Sequence, residues 1–568
     1  MSARSLSEMA PGAVLLEEGR RVAPERIHRT AYLRRHDADS EAEVKARARD
    51  GGRVMYHCQI GSTDWPSTAA VLEEIEGSLA ERGMACDRFG LTLSRAMSVA
   101  DGERDAIHKE TGPEIRPSEW HLLGEAAAIQ PHLGDFMIGT PAGFEHALAA
   151  LAAGVTTIGN LGQYNAYELP GGQDDIRVTE AAIRAVGLLA AYRDRGALVH
   201  SYLEDGVAMQ ASHYGSYIGW AALEVYVIEH LCGARLAHSY AGLIDVPWHR
   251  AAVHFALDDL HGRDSIGTMV YGNTVDMRPR ERSHNLSVLT TYLLVDIACQ
   301  LRRPTGHAVH PVPLTEAERV PSAAENVEVQ VIAHELEREA RRSGDLFDWR
   351  RLERLGADLA EYGERFRDRA LACLTEDGVD IADPARVLLA MRRYGMGGLE
   401  QRVDLTPPAA IGRLEPWKAG LMSTVGTRLD GALPRLDGMR IVLAVLDVHD
   451  VVRDALALAL PRAGSEGVLL PTDVTPAAIA EVAVAEDADA IILGTYNGAA
   501  LSIGRELRAA IDRAGFDGQV IVGGRLNEDV GGELPVDVSG ELEALGFAPA
   551  LEVEDAARLL GAAGVRGG

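Results

Sequence analysis

The sequence predicts an α/β protein, a (β/α)8 TIM-like barrel followed by a smaller Rossmann-like (flavodoxin-like) domain. Three observations lead there. Between residues 54 and 310 short apolar runs alternate with longer helical patterns, as in βα units whose strands are covered on both faces. A proline- and glycine-rich stretch then separates this region from the rest. Beyond it, from Arg440, strand-like and helix-like segments alternate strictly: RIVLAVLD, VVRDALALALPRAG, GVLLP, PAAIAEVAVAED, ADAIILGT, ALSIGRELRAAIDRAG, QVIVGG.

The eight strand candidates of the first region are residues 54–60 (VMYHCQI), 88–93 (RFGLTL), 135–139 (DFMIG), 155–160 (VTTIGN), 197–201 (ALVHS), 235–240 (RLAHSY), 266–271 (IGTMVY) and 307–310 (HAVH). Eight parallel strands with intervening helices close into a barrel, and an open doubly wound sheet is the competing arrangement. The expected organisation is an N-terminal arm over 1–50, the barrel and substrate domain over 51–330, a charge-laced helical appendage over 331–404, a linker over 405–437 and the second domain over 438–568.

Composition narrows the function. With 84 acidic against 56 basic residues and a formal charge of −28, the 568-residue chain lacks the electrostatic footprint of a nucleic-acid or anionic-lipid binder. A small-molecule partner is expected, with no nucleic acid, no membrane and a homodimer as the possible assembly. The cysteines (Cys58, Cys86, Cys232, Cys299, Cys373) are scattered, without a CxxC pair, which argues against a zinc knuckle or a disulfide framework. No stretch reaches the roughly 18 apolar residues of a membrane span, and the first residues lack a signal-peptide core. A cytoplasmic location is the expectation.

Open α/β sheets bind ligands beyond the carboxyl ends of their strands, which directs attention to residues 447–450, 494–498 and 523–525. Asp447 and His449 lie two apart at the first tip. A histidine there can offer one ring nitrogen to a metal while the aspartate holds the other N–H. Taken alone, the pair reads first as an exposed loop histidine beside a helix-capping aspartate.

Residues 438–568 resemble the cobalamin-binding domain of the B12-dependent mutases, and most the small component of glutamate (methylaspartate) mutase. The matching pieces are DVH at 447–449, IILGTYNGAALSIGRELRAAIDRAG and IVGG at 521–524. The resemblance implies that His449 is the lower cobalt ligand, that Asp447 supports it, and that Thr495 and Gly498 line the slot for the cofactor's nucleotide tail. Gly523 and Gly524 would then let the backbone approach that tail. The family pattern is DxHxxG, and Val452 stands where the glycine belongs.

Residues 50–400 resemble, more faintly, the large component of the same mutase. The carriers are GTPAGFEHALAALAAGVTTIGNLGQYNAYELP at 139–170 and VHPVPLTEAERVPSAAEN at 309–326. Tyr164 and Asn165 match, and Asn160, Gln163 and Asn165 are the implied substrate-binding positions. Arg95 resembles a carboxylate-binding arginine, and His310 falls where the family has a lysine near the adenosyl ribose, so Arg95, Tyr164 and His310 are the catalytic candidates. The family grips a dicarboxylate with arginines and an ammonium with a glutamate. Here Met137 or Ile138 replaces an arginine, and Gly159 or Asn160 replaces the glutamate.

Two further features have ordinary explanations. His57, His200, His238, His307 and His310 near predicted strand ends read as polar pocket lining before they read as a metal site. Arg278, Arg280 and Arg282 read as a solvated loop before they read as an anion-binding lid. The resemblance as a whole implies an adenosylcobalamin-dependent intramolecular transferase, a carbon-skeleton mutase (isomerase), acting on a small carboxylic or amino acid other than glutamate. A corrinoid-dependent methyltransferase, or a cobalamin-binding protein without mutase activity, is the alternative.

Overall fold

The computed structural model describes residues 9–24, 26–107, 112–206, 208–262, 265–414, 416–446, 449–472, 474–496, 498–530 and 534–564. The protein is mixed α/β and divides into two compact units. The first comprises Met1–Asp105, Lys109–Leu314 and Pro321–Trp417, and the second Ala106–His108, Thr315–Val320 and Lys418–Gly568.

Eight short strands form the heart of the first unit: β1 (Met55–Ile60), β2 (Arg88–Leu91), β3 (Gln130–His132), β4 (Thr157–Ile158), β5 (Leu198–Tyr202), β6 (Leu236–Ser239), β7 (Met269–Val270) and β8 (Ala308–Val309). All their pairings are parallel, in one sheet of order β3-β2-β1-β8-β7 and another of order β4-β5-β6. Single parallel bridges, Leu133 to Ile158 and Tyr240 to Val270, join the two sheets. Seven of the expected strands lie where the apolar runs predict them. The third differs: it falls at Gln130–His132 rather than at 135–139. Its polar residues turn inward, whereas the apolar DFMIG that follows is a turn in which Phe136 takes a φ of +59°.

Helices cover these strands, and their starts are written locally. Asp64 caps Trp65–Ala80 by accepting from the Ser67 amide at 2.8 Å, with Pro66 in the first turn. Ser322 and Glu325 form a reciprocal capping box at the start of Ala323–Arg342. The long helix Trp349–Glu376 lies along Tyr214–Val225 and Pro247–His261 and buries Leu359, Tyr362 and Phe366. The arm is helical too. Gly12–Arg21 packs on Asp175–Ala191 so closely that a Cβ on Gly19 would sit 2.0 Å from the Arg184 carbonyl oxygen.

The second unit is built on a five-stranded parallel sheet of β9 (Arg440–Val445), β10 (Glu466–Leu469), β11 (Ala490–Thr495), β12 (Gln519–Gly524) and β15 (Ala548–Ala550), in the order β10-β9-β11-β12-β15. An antiparallel pair, β13 (Asn527–Glu528) and β14 (Val536–Asp537), follows β12. Part of the expected linker is ordered: helix Trp417–Ala432 places Val425 and Leu429 in this unit's core.

Two buried ionic networks hold the first unit's interior. Arg88 meets Glu41 at 2.8 Å and His132 Nδ1 at 2.5 Å, and Lys45 meets Glu41 at 3.0 Å, all at about zero exposure. Arg250 clamps the loops after β6 and β7, donating to Asp296 at 2.5 and 3.0 Å, to the Ile244 carbonyl at 3.0 Å, to the Tyr271 carbonyl at 2.6 Å, and to the Ala241 carbonyl. Ala241 needs such support because it holds a φ of +85°. Replacing Arg250 with methionine strands Asp296 as a buried, unpaired carboxylate and is expected to cost about 3–5 kcal/mol. Urea unfolding of R250M, read as a drop in the midpoint at unchanged slope, checks this.

Candidate active site

Acidic side chains gather at the carboxyl ends of β3, β4 and β5. Asp135 follows β3, and Glu204 and Asp205 follow β5. The loop after β4 ties the first to the last: the Gln163 amide donates to Asp135 at 3.2 Å and lies against Asp205, while Asn160 donates to Asp205 at 2.5 Å. Asn160 is itself fixed, its carbonyl accepting from the Gly162 and Tyr202 amides at 2.7 and 2.8 Å. Gln163 accepts from the Phe136 amide at 2.9 Å, which pins the positive-φ residue next to Asp135. A bulky residue held in that conformation beside an acid marks a constructed turn.

The electrostatics differ between these acids. Burial pushes Asp135 up to about 6. Burial, with Asp135 and Glu204 as acidic neighbours, pushes Asp205 up to about 8, so Asp205 holds a proton at neutral pH. Glu204 is a positioning group, accepting from the Ala241 and Leu243 amides at 2.7 and 3.3 Å. Asp135 and Asp205 are only partly buried, as are Tyr202 and Tyr271, whose rings stack at 4.2 Å. Burial raises both phenols well above their ordinary range.

Deeper in, four imidazoles meet. His57 lies edge-on to His132 at 5.7 Å and to His310 at 5.4 Å; His132 lies 4.5 Å from His200, and His310 lies 5.9 Å from Tyr271. All four are at least 96% buried, and His57 Nδ1, His132 Nε2 and both nitrogens of His200 and His310 have no protein partner. Burial holds His57, His132 and His200 well below the usual imidazole range, and brings His310 down to about 3. They are neutral at pH 7. Small residues make the room: a Cβ on Gly90 would sit 2.1 Å from Gln59 Oε1 and 2.9 Å from His57 Nε2.

The structure thus brings Asn160, Gln163 and His310 to one lining and leaves other candidates elsewhere. Tyr164 is wholly buried, its hydroxyl 2.6 Å from Thr179 and its ring under the Arg392 guanidinium. Arg95 reaches the Glu168 carbonyl at 3.4 Å, and Asn165 the Gly162 carbonyl at 3.4 Å. His238 bonds His261 at 2.7 Å and Glu224 at 3.0 Å, and His307 bonds Thr305 at 2.6 Å, so both serve the walls. Met137 and Ile138 are buried in the core. In the loop after β7, Arg278 and Arg282 pair with Glu281 and Glu328, and Arg280 is exposed. Asp135, His132 and Asp205 escape the sequence reading. The signal available for the two acids is position, three residues beyond a strand, and His132 lies within the strand that the apolar pattern misses. No group of three or more His, Cys, Asp or Glu that could hold a metal ion occurs among the described residues.

In the second unit the carboxyl end of β9 leads to His449, which is exposed and stacked on Tyr496 at 3.6 Å, with Arg525 over the Tyr496 ring at 4.9 Å. Asp447 lies outside the described residues. The Thr495 hydroxyl lies 3.2 and 3.1 Å from the Gly523 and Arg525 carbonyls, binding the tips of β11 and β12 together. Gly524, at φ +91°, permits that approach, since a Cβ there would sit 2.3 Å from the Thr495 carbonyl oxygen. Gly498 holds a φ of +75°, and Gly523 sits beside Ala550. Val452 is 45% exposed on the first turn of Val451–Ala459, so it does not fill the space in front of His449 by packing inward. An accessible imidazole with Val452 directed outward fits a metal-bearing planar cofactor.

Comparison with known proteins gives little. No protein-family model and no curated protein matches the chain. Among solved structures, one that is similar is a cobalamin-binding protein from Desulfitobacterium hafniense DCB-2, at 20% identity and a TM-score of 0.21, covering 34% of this chain and 90% of that one.

The opposed shifts set the pH dependence of stability. Below the usual imidazole value of 6.5 the unfolded chain takes up protons that the four buried histidines refuse, so stability falls as pH falls. Asp205 keeps its proton up to about 8 when folded but loses it near 3.8 when unfolded, so stability also falls as pH rises toward 8. Four imidazoles outweigh two acids on the acid side, and above about 7 the loss at Asp205 is opposed by Lys45, which burial brings down to about 7 when folded against 10.5 when unfolded, so that its contribution rises with pH. Melting temperature should rise from pH 5 to about 7 and then level off, and in Asp205→Asn it should go on rising above 7; a thermal-shift series from pH 5 to 8.5 on both proteins tests this.

Proposed function

We propose that the protein is an adenosylcobalamin-dependent radical isomerase whose substrate sits at the strand ends of the first unit. In this reading the eight parallel strands are a (β/α)8 barrel, supported by their sequential order and the two bridges, and the second unit is a Rossmann-like (flavodoxin-like) cobalamin domain. The carrying observation is His449, an accessible imidazole beyond the carboxyl end of β9 in a parallel sheet of order 2-1-3-4-5. His449 would bind cobalt, Asp447 would orient it, and Thr495, Gly498, Gly523 and Gly524 would shape the tail slot. Adenosylcobalamin held there would supply the carbon radical.

The chain's own residues orient the substrate and keep water away from it. His57, His132, His200 and His310 give a buried, neutral lining, and Tyr202 and Tyr271 remain protonated under burial. Asp135 and Asp205 hold or release protons near neutral pH without needing a dedicated triad. A second reading, which needs only His449 of the second unit, is a corrinoid-dependent methyltransferase or a cobalamin-binding protein without mutase activity.

Electron paramagnetic resonance of the cob(II)alamin form with 15N-histidine should show hyperfine coupling from a protein nitrogen that His449→Ala abolishes. Its absence removes His449 as ligand. Turnover with methylcobalamin and an acceptor would select the second reading. Glutamate and 3-methylaspartate should not be interconverted by reconstituted enzyme, because Asp135, Glu204 and Asp205 at the pocket repel a substrate carboxylate. Turnover near an ordinary enzyme's ~10 per second would show that this substrate site is misread.

A further inference from the structure

We propose that the pocket at the strand ends of the first unit takes the ammonium group of a small substrate that carries hydroxyl or carbonyl groups and no carboxylate, with Asp135 and Asp205 flanking the ammonium and the unpartnered imidazoles of His57, His132, His200 and His310 meeting the rest. This rests on reading the pocket as the substrate site, and it is independent of the cofactor.

Charge decides the first half. The charged groups acting on Asp205 are Asp135 and Glu204, both acidic, and Gln163 spans toward both members of the pair. Two carboxyls held together by amides, with a third acid beside them, cannot both ionise cheaply, so one keeps a proton. A substrate cation placed between them removes that conflict, and an anionic group would deepen it. Arg88 and Lys45, the bases that act on the neighbouring imidazoles, have their head groups engaged with Glu41, His132 and Thr157. They are committed to the floor.

Unsatisfied hydrogen bonding decides the second half. Six ring nitrogens on four histidines, each at least 96% buried, lack a protein partner, which is costly unless something else meets them. These rings and the acid pair form one continuous lining: Gly134, the residue before Asp135, is so placed that its Cβ would lie 3.4 Å from His132 Nε2 and 3.5 Å from His200 Nδ1. Tyr271 touches His310 on one side and feels Asp135 and Asp205 on the other. A neutral imidazole can donate from one nitrogen and accept at the other, so hydroxyl and carbonyl groups are matched and a second ionic group is not. The part-exposed Asp135, Tyr202, Asp205 and Tyr271 let solvent, and hence a ligand, reach the site.

The test is isothermal titration of the full chain without cobalamin, using three compounds of one size: 3-aminopropan-1-ol, propane-1,3-diol and 3-hydroxypropanoate. The amino alcohol should bind at least about tenfold more tightly than the diol, and the hydroxy acid should give no measurable heat. Asp135→Asn and Asp205→Asn should each lower amine affinity about tenfold or more while leaving diol affinity within about twofold, which a merely misfolded variant would not do. Equal binding of amine and diol, preference for the hydroxy acid, or amine binding insensitive to both substitutions overturns the proposal. Because cobalamin is omitted, loss of the His449 signal described above leaves this result standing, and failure here leaves the cobalt ligand standing.

Discussion

Arg88 carries a charge into the middle of the first unit with no exposure to water, and the interior is arranged to receive it. Its guanidinium is shared between Glu41 from the arm's helix Glu41–Asp50, His132 from β3 and the carbonyl of Thr268 just before β7. A buried ion is tolerated only when its donors are met and a counter-charge is close. Those demands bring a helix, a neighbouring strand and the start of a distant strand to one point. Lys45 sits in the same network, bonded to Glu41 and Thr157, and burial with Arg88 alongside brings it down to about 7. The helical arm is therefore a structural plug as much as an N-terminal extension.

The same charge shapes the chemistry above it. Burial is the main reason the imidazoles stay neutral, and Arg88 adds to it at His57, His132 and His200 by opposing a further positive charge. Toward the strand ends the sign changes, because Asp135, Glu204 and Asp205 face one another and are restrained by amides instead of bases. From floor to mouth the interior runs from a compensated cation, through neutral rings, to acids that burial pushes upward, of which Asp205 holds its proton at neutral pH. Perturbed groups collected in one place in this way are what active sites require and cores avoid.

Much of this order was legible in the chain, and the failures have a common physical cause. Strands such as VMYHCQI and ALVHS stand out because both their faces are covered, so apolar residues run together. β3 was hidden because its buried side chains, Gln130 and His132, are polar and point at Arg88 and the interior, while the apolar DFMIG beside it bends with Phe136 in the left-handed region. Asn160 and Gln163 could be named from their neighbourhood, yet their partners could not: Asp135 and Asp205 lie 70 positions apart and meet only through the fold. Tyr164 shows the converse. Its motif singles it out, but its hydroxyl is directed at Thr179 and the helix Asp175–Ala191.

What the second unit can bind is constrained by a carboxylate of its own. In doubly wound sheets the start of the helix after a strand is a ready anion site, since its first amides have no partner in the helix and the dipole favours negative charge. Here helix Ala500–Ala514 follows β11, and Glu528, brought over by β13, accepts from the Leu501 and Ser502 amides at 2.9 and 3.2 Å and from the Ser502 hydroxyl. A nucleotide phosphate arriving at that helix would have to displace an anion already in place. Beside it, Thr495 and Gly524 join the tips of β11 and β12. In the proposed reading the ligand at this sheet would therefore meet the exposed imidazole of His449 and the Tyr496 ring stacked on it instead of the start of that helix.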